Sequence, residues 1–130
     1  TEIDYDELDF EGSNLLGAGR FGKVCTSKWR GADVAVKNLM SNSLPRDAVR
    51  TLRKEICLHA SLHSDFVVPL YAASTVRPHL CLVMELASEG SLQKYLRAES
   101  EPLAHALQVA FLHDVARGMR FLHGKGILHR

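Results

Sequence analysis

A glycine-rich stretch followed by a lysine restricts the fold of this chain more than any other feature. The stretch carries Gly17, Gly19 and Gly22, and the lysine is Lys37. In a dinucleotide-binding fold the same G-x-G-x-x-G pattern would open a helix. Here it is followed by residues 24–29, which are rich in β-branched and aromatic side chains and end at a turn-like sequence. We therefore predict a strand, a glycine loop and a second strand, forming a flexible flap that can lie over phosphates.

The position of Lys37 within its strand supports a role in binding phosphates. Because side chains alternate between the faces of a strand, Ala35 and Lys37 share one face, opposite to Val34. A small apolar residue leaves room for the flat base of a nucleotide, and a lysine beside it can contact the phosphates attached to that base. The alternative is an ordinary lysine on an edge strand, and the glycines upstream favour the phosphate-binding interpretation.

The composition argues against several kinds of partner. The chain has 16 basic and 15 acidic residues and a formal net charge of +1, so there is no electrostatic reason to expect nucleic acid or an anionic membrane. Its three cysteines form no C-x-x-C pair, which predicts reduced thiols in a cytoplasmic protein rather than a disulfide framework or a zinc site. No apolar run reaches the roughly 18 residues of a membrane span, so we expect no membrane insertion by this segment.

Residue patterns along the chain predict an α+β fold. Val49, Leu52 and Ile56 recur at helical spacing, as in a helix packed on a sheet. Glu55 lies beside this apolar stripe, and because an unpaired charge at a buried edge is costly, we expect it to pair with Lys37. The other predicted elements are a first strand at 11–16, a start of the first helix at Ser43 to Pro45, strands at 66–71 and 79–84, a helix at 92–97 capped by Ser91, and an apolar helix at 103–122.

Together these motifs resemble those of the protein kinase family. The family pattern G-x-G-x-x-G-x-V is matched from Gly17 to Val24, and V-A-I-K is matched by residues 34–37, Val-Ala-Val-Lys. The turn at residues 29–31, Trp-Arg-Gly, is similar to that of the tyrosine-kinase-like group. His129 and Arg130 resemble the first two residues of the catalytic-loop motif H-R-D. The resemblance covers about residues 8–130 and corresponds to the first half of a kinase domain.

The resemblance implies two parts of the chain. Residues 1–87 would form a kinase N-lobe, which is a five-stranded antiparallel sheet with one helix, αC. This part would begin with an acidic lead-in at residues 1–9, which is expected to be solvated except where Leu8 and Phe10 dock on the domain. Residues 88–130 would form the start of a helical C-lobe, with its first two helices.

The resemblance also implies how the phosphates of ATP would be held. Lys37 would contact the α- and β-phosphates, and Glu55 would orient Lys37 as the glutamate of αC does in the family. The glycine loop would cover the phosphates. Phe21 at its tip would shield them from water, or alternatively would pack under its own loop.

The adenine site is implied by the same resemblance. Met84 would be the gatekeeper, and the backbone of Glu85 and Ala87 would bind the base. The full set of nucleotide-binding residues expected is Leu16, Gly17, Ala18, Gly19, Arg20, Phe21, Gly22, Lys23, Val24, Ala35, Lys37, Met84, Glu85 and Ala87.

The implied activity is transfer of the γ-phosphate of ATP to a hydroxyl of a protein substrate, with serine/threonine specificity expected from the tyrosine-kinase-like features. The Mg²⁺ ligands and the catalytic aspartate would lie beyond Arg130, so we expect no metal ligand within the chain. For the same reason we predict that the isolated 130-residue chain is inactive. The alternative is a non-catalytic, pseudokinase-like half-domain that binds nucleotide or regulates a partner.

Overall fold

A computed structural model of the protein describes residues 1–19, 22–39, 46–98 and 103–129, with only the backbone described at 46–48. The predicted helix start at Ser43 to Pro45 and the terminal Arg130 lie outside these ranges. A 3-10 helix spans Tyr5–Glu7. The strands are β1 (Leu8–Asp9), β2 (Leu15–Gly19), β3 (Gly22–Trp29), β4 (Ala32–Leu39), β5 (Leu70–Ser74) and β6 (Cys81–Glu85), and the helices are α1 (Arg46–Ala60), α2 (Leu92–Ala98) and α3 (His105–Gly124).

The strands form one antiparallel sheet, which confirms the predicted α+β class. Their order is β1-β3-β4-β6-β5, and β2 also pairs with β3. Strand β1 is an addition to the five strands expected. The first predicted strand, at 11–16, is displaced to Leu15–Gly19. Gly12 has a φ of 68°, which an extended strand does not accommodate, so residues 11–14 turn before the strand begins.

A tight turn fixes the register between β3 and β4. Its two central residues, Arg30 and Gly31, have φ angles of 51° and 81°. Positive φ at both central positions is the conformation of a type I′ turn, whose twist matches that of the flanking strands. The turn predicted from the sequence is therefore confirmed. The pairing then runs from Trp29 opposite Ala32 to Gly22 opposite Leu39.

One face of the sheet carries the hydrophobic core. Val36 and Val83 are paired across β4 and β6 and have no exposed surface. Ile3 and Leu8, from the N-terminal segment, pack against them and are buried too. We call the segment Thr1–Asp9 the strap. We call the sheet surface below it the covered face, formed by Cys25, Ser27, Val34, Val36, Cys81 and Val83.

The strap is also hydrogen-bonded to the sheet. The Ile3 amide donates to the Ala73 carbonyl at 3.0 Å, and the Ala73 amide donates to the Thr1 carbonyl at 2.9 Å. The docking expected for Leu8 is confirmed, and Phe10 is partly buried against the same core. The expectation of a solvated lead-in is wrong otherwise, because apolar side chains between the acids cover the sheet.

The helices follow the apolar patterns of the sequence. On α1, Leu52 and Ile56 are half-buried, and the helix packs beside β5. Ser91 caps α2 as predicted, since its hydroxyl accepts a hydrogen bond from the Lys94 amide at 3.2 Å. Among the helices described, none combines the length and apolar character needed to cross a membrane.

The chain divides into two compact units. The first contains Thr1–Leu62 and Pro69–Ala87, and the second contains His63–Val68 and the residues from Ser88 onward. The sequence predicts one division, between residues 87 and 88. That division places residues 63–68 in the first part, whereas the structure places them in the second unit.

Candidate functional site

The strand register gathers the predicted nucleotide-binding side chains on the face opposite to the strap. Val24 is paired with Lys37 across β3 and β4, and Ala35 is paired with Met84 across β4 and β6. Directly paired residues of antiparallel strands point to the same side of a sheet. Because side chains alternate, this side excludes the core residues on the covered face. We call the surface of Val24, Ala35, Lys37 and Met84 the lysine face.

The three glycines of the loop differ in what the fold demands of them. Gly22 is buried with a φ of 145°, and a Cβ there would overlap the carbonyl oxygen of Asn38. The fold therefore requires glycine at this position. Among the described residues, a Cβ on Gly17 or Gly19 would meet nothing within 4 Å. The fold gives no reason for glycine at these two positions, and a ligand approaching the backbone closely does.

The end of β6 has backbone groups available to a ligand. Met84 is half-buried, and the amide of Glu85 donates to the Pro69 carbonyl at 3.3 Å. Ala87 lies beyond the strand and is exposed, and none of the hydrogen bonds in the described part of the chain uses its amide or carbonyl. An extended backbone with an open donor and acceptor is the arrangement that the edge of a purine base needs.

Lys37 and Glu55 do not form the expected ion pair in this structure. Lys37 is half-buried, Glu55 is exposed, and the ion pairs within 4 Å among the described residues do not join them. The expectation that Glu55 pairs with Lys37 therefore fails for this conformation. At 100° per residue, Glu55 lies at one edge of the apolar stripe, where its carboxylate remains hydrated.

Arg53 lies on the opposite edge of that stripe and is held in place. Its Nε donates to Thr75 Oγ1 at 3.1 Å, and its Nη2 donates to the Thr75 carbonyl at 3.2 Å. Thr75 in turn donates from its amide and its hydroxyl to Glu2 Oε1, at 2.7 and 2.8 Å. The strap and α1 are thus connected through one threonine at the end of β5.

The comparison with known families decides the class of this chain. Residues 10–130 match the family model described as protein tyrosine and serine/threonine kinase. The chain belongs to this kinase family. We call the paired strands β2 and β3, which carry Gly17, Gly19 and Gly22, the glycine hairpin. The lysine face, the glycine hairpin and the end of β6 are therefore parts of a kinase domain.

Kinases from distant organisms are similar to this chain over nearly its whole length. It is 40% identical over 130 residues to a putative serine/threonine-protein kinase/receptor of Acanthamoeba polyphaga mimivirus. It is 37% identical over 132 residues to the serine/threonine-protein kinase VIK of Arabidopsis thaliana, and 38% identical over 134 residues to mitogen-activated protein kinase kinase kinase 10 of Mus musculus. Each match covers 99% of this chain but only 8%, 30% and 14% of the respective kinase.

The structure brings together most, but not all, of the kinase site residues predicted from sequence. Leu16, Ala18 and Lys23 lie on the exposed hairpin of β2 and β3, with the three glycines. Arg20 and Phe21 lie outside the described residues, so the two interpretations of Phe21 remain open. The assignment of all these residues to nucleotide binding stays a prediction.

Two features of this region are missed by the sequence patterns. Leu82 is paired with Lys37 and shares the lysine face, and the alternation of β6 with Met84 could have identified it. The connection from Glu2 through Thr75 to Arg53 has one step of 73 positions in the sequence and one of 22. No local signal predicts such a contact.

Proposed function

We propose that this chain is the ATP-binding part of a protein kinase that transfers the γ-phosphate of ATP to a serine or threonine hydroxyl of a protein. The observation that carries the proposal is the lysine face, where Lys37 lies with Val24, Ala35 and Met84 beside the glycine hairpin. The fit to ATP is supported by Gly17 and Gly19, which leave open space where side chains would otherwise stand. The similarity to serine/threonine kinases supports the acceptor class.

In this proposal each group of the site has one task. Val24 and Ala35 contact the faces of the adenine, and Met84 limits the depth of the pocket. The Glu85 carbonyl accepts from the base and the Ala87 amide donates to it, because the Glu85 amide is already bonded to Pro69. The ammonium group of Lys37 neutralises charge on the α- and β-phosphates.

The reaction would proceed by transfer of one phosphoryl group. The substrate hydroxyl oxygen forms a bond to the γ-phosphorus, and the bond from that phosphorus to the bridging oxygen breaks, so that ADP leaves. The hydroxyl proton would go to the catalytic aspartate, which is expected after Arg130. When bound, Mg²⁺ would neutralise the phosphates, and its ligands are expected after the same position. Glu55 is proposed to orient Lys37 in the ATP-bound state, which requires its exposed carboxylate to turn inward.

The proposed setting is the cytoplasm, where ATP and protein substrates are available. Support comes from the cysteines, since Cys25, Cys57 and Cys81 are all free thiols in the structure. Free cysteines are the usual state in a reducing compartment.

The test uses the intact native protein, Mg²⁺, radiolabelled ATP and a general protein acceptor such as myelin basic protein. We expect phosphate transfer that Lys37→Met reduces at least about 100-fold, because the substitution removes the charge that faces the phosphates. The matched control is Lys28→Met, an exposed strand lysine on β3 that pairs only with Asp33 at 3.2 Å. It should retain nearly full activity. Equal activity in the wild-type protein and Lys37→Met would refute the proposal.

The same assay separates the alternative of a non-catalytic module. That protein would bind a fluorescent ATP analogue in a manner that depends on Lys37, yet transfer no phosphate to any acceptor. Phosphoamino-acid analysis of the labelled acceptor then tests the proposed serine/threonine class, and labelled tyrosine alone would overturn that part.

A further inference from the structure

A cavity with a basic lining lies in the second unit. Its volume is about 490 Å³, and it is lined by Ser64 and Phe66 of the loop before β5 and by Arg117, Arg120, Phe121 and Lys125 of α3 and the turn after it. We call it the α3 cavity. None of these residues belongs to the lysine face or is expected to bind ATP. The α3 cavity therefore needs an explanation of its own.

The loop wall of the α3 cavity is held firmly against the helix. Gly118 is buried, and a Cβ there would lie 2.8 Å from the Phe66 carbonyl oxygen, so the loop packs directly on α3. The Phe66 amide donates to Ser64 Oγ at 3.2 Å, and the Val67 amide donates to the Ser64 carbonyl at 3.2 Å. Because Ser64 Oγ acts as an acceptor here, its own O–H remains available as a donor in the described part of the chain. The rim of the cavity thus carries one hydroxyl donor in a defined position.

Two of the cations of the α3 cavity are stacked on aromatic rings. The guanidinium carbon of Arg117 lies 4.9 Å from the centre of the Phe66 ring, and Lys125 Nζ lies 5.3 Å from the centre of the Phe121 ring. These contacts are attractive because the faces of the rings carry negative partial charge. Stacking on a ring uses no hydrogen bond to an oxygen, so the N–H donors of both cations remain for an anion.

The positive charge of the α3 cavity is not neutralised by the part of the chain that the structure describes. Within it, no carboxylate lies within 4 Å of a side-chain nitrogen of Arg117, Arg120 or Lys125. Asp65 and Asp114 are neighbouring carboxylates in the sequence, and neither lines the cavity. Arg117 and Arg120 are three residues apart on α3, where like charges repel each other. An anion between them would relieve this repulsion.

Charge and volume favour a phosphate monoester that belongs to a larger molecule. Three cations match the nearly double negative charge of a phosphate monoester better than the single charge of a carboxylate. A water molecule takes roughly 30 Å³, so the five heavy atoms of a phosphate group fill only about a third of the cavity. Gly124 leaves the helix surface open for the rest of the ligand, since a Cβ there would meet nothing within 4 Å among the described residues. Nucleic acid would need an extended basic surface, whereas this chain has a net charge of only +1.

The end of α3 restricts where the phosphate can lie. The carbonyl groups at the C-terminus of a helix disfavour an anion, but this effect falls off within the last turn. The helix ends at Gly124, and Arg120 and Arg117 precede that residue by about 6 and 10 Å along the helix axis. The phosphate is therefore expected between Arg117 and Arg120, where the planar fork of each guanidinium can bond to its oxygens.

We propose that the α3 cavity binds a phosphoserine or phosphothreonine of a partner protein. Arg117 and Arg120 donate to the phosphate oxygens, Lys125 adds positive charge, and the Ser64 hydroxyl donates from the loop. Recognition of a phosphorylated peptide by clustered arginines is a recurring mode of binding. The stacked position of Arg117 lowers the entropic cost of forming these bonds. The proposal goes beyond the proposed kinase function and does not rest on ATP binding.

Fluorescence polarisation with the intact native protein measures this binding. The first probe is a labelled heptapeptide with a central phosphoserine between alanines, and two others carry serine or glutamate at that position. At physiological salt we expect the phosphoserine peptide to bind at least about tenfold more tightly than either of the others. Inorganic phosphate at the same concentration as the phosphopeptide should not displace it, because the peptide also contacts the open surface beside Gly124.

Substitutions assign the binding to the α3 cavity. Arg120→Glu should weaken binding of the phosphoserine peptide at least about tenfold. Arg120→Lys should weaken it less, because lysine keeps the charge and loses only the planar fork. Arg120 is exposed, so neither change removes a core contact. The matched control is Arg97→Glu, which reverses an exposed arginine on α2 outside the cavity and should change the affinity less than about twofold.

Three outcomes would overturn the proposal. The first is equal binding of the phosphoserine and glutamate peptides, and the second is an equal loss of affinity in Arg120→Glu and Arg97→Glu. The third is displacement of the phosphopeptide by inorganic phosphate at the same concentration, which would leave a site for an ion alone. Failure of the kinase proposal leaves the peptide result unaffected, because Lys37→Met should bind the phosphopeptide like the wild-type protein.

Discussion

The two faces of the sheet come from the same strands but differ in what covers them. On the covered face, Val36 and Val83 have no exposed surface, because the strap packs on them through Ile3 and Leu8. On the lysine face, Val24 and Met84 are only half-buried. One face is completed by the chain itself, and the other, which is only partly covered, is proposed to bind a ligand. Alternation along a single strand thus separates a fully buried face from a partly open one.

This difference has a physical reason in β4. Val34 and Val36 gain stability only when something apolar covers them, and the strap supplies that cover. Ala35, which lies between the two valines, is small, and Lys37, which follows them, is charged. In the proposed site, they leave room and charge for a planar base and its phosphates. Substitutions on the covered face should therefore change stability, and those on the lysine face should change ligand binding.

The largest effect on stability is expected when the strap loses its anchor. Ile3→Ala should lower the free energy of unfolding by about 2–5 kcal/mol, because it leaves a cavity over the sheet. Ile3 is only 5% exposed. Chemical denaturation of the intact native protein measures this change. Its control, Val76→Ala, alters a residue that is 64% exposed and should change the free energy by less than about 0.5 kcal/mol.

Affinity for the ATP analogue sharpens this test. The folded fraction of Ile3→Ala should bind the analogue as the wild-type protein does, since Ile3 belongs to the core on the covered face. If Ile3→Ala lost affinity for the ATP analogue without losing stability, the covered face would influence the lysine face. The two faces could then not be treated as independent.

The glycines offer a second pair of substitutions. Gly22→Ala should lower the free energy of unfolding by about 1–3 kcal/mol, because an L-residue is strained at its φ and its Cβ overlaps the Asn38 carbonyl. Gly17→Ala should change it by less than about 0.5 kcal/mol, because its Cβ would stand in open space. Thermal unfolding measures both.

For ligand binding, we expect a clear effect from Gly17→Ala, although this substitution hardly changes the free energy of unfolding. Gly17→Ala should weaken binding of the ATP analogue while leaving stability intact, since only a bound ligand would meet the added methyl group. If Gly17→Ala bound the analogue with full affinity, the glycine hairpin would not approach the phosphates, and the proposed site would need revision.

A buried hydrogen bond gives a smaller effect on the covered face. Ser27 is 5% exposed, and its hydroxyl donates to the Asp9 carbonyl at 2.8 Å. Ser27→Ala should cost about 1 kcal/mol, because the carbonyl loses this donor. Thr26→Val, at the next position on the other face, removes a hydroxyl that accepts from the exposed Asn14 amide at 2.8 Å. It should cost less, because water can replace that bond. Equal losses measured by urea denaturation would contradict this difference.

The sequence predicts the lysine face well because its signals are local. The glycine pattern, the alternation around Lys37 and the turn after Trp29 each involve neighbouring residues, and the register follows from that turn. The displaced first strand is also explained locally, by the φ of Gly12.

The strap and the helix contacts could not be predicted, because they depend on pairings distant in sequence. Acidic residues around Ile3 favour a solvated segment, and only the apolar sheet, some 70 positions away, makes docking favourable. The pairing of Glu55 with Lys37 is expected from the place of Glu55 beside the apolar stripe and from the family motif. Whether a carboxylate at the edge of a helix turns inward depends on the orientation of α1 and on ligand, and neither is encoded in local spacing.

The last prediction concerns thiol reactivity, which tests whether the strap stays closed. Cys81 lies under the strap and is 1% exposed, whereas Cys57 on α1 is exposed. Burial, with smaller contributions from Cys25 and Glu2, raises the pKa of the Cys81 thiol, while the bond from the Ser74 backbone opposes the increase. At pH 8 less of Cys81 is therefore thiolate, the reactive form. Peptide mapping after iodoacetamide treatment should find Cys57 modified at least about ten times faster than Cys81.

The raised pKa also fixes the direction of a pH effect. Burial of the neutral thiol contributes stability that is fully present below the ordinary thiol pKa of 9.0, where both states are protonated. Above that pH the unfolded chain loses its proton first, so this contribution falls as the pH rises further. Ile3→Ala should accelerate modification of Cys81 and leave the rate at Cys57 unchanged. The reason is that the reagent reaches Cys81 only when the strap opens. Equal rates at Cys81 and Cys57 in the wild-type protein would mean that the strap is open in solution, and the covered face would then be exposed.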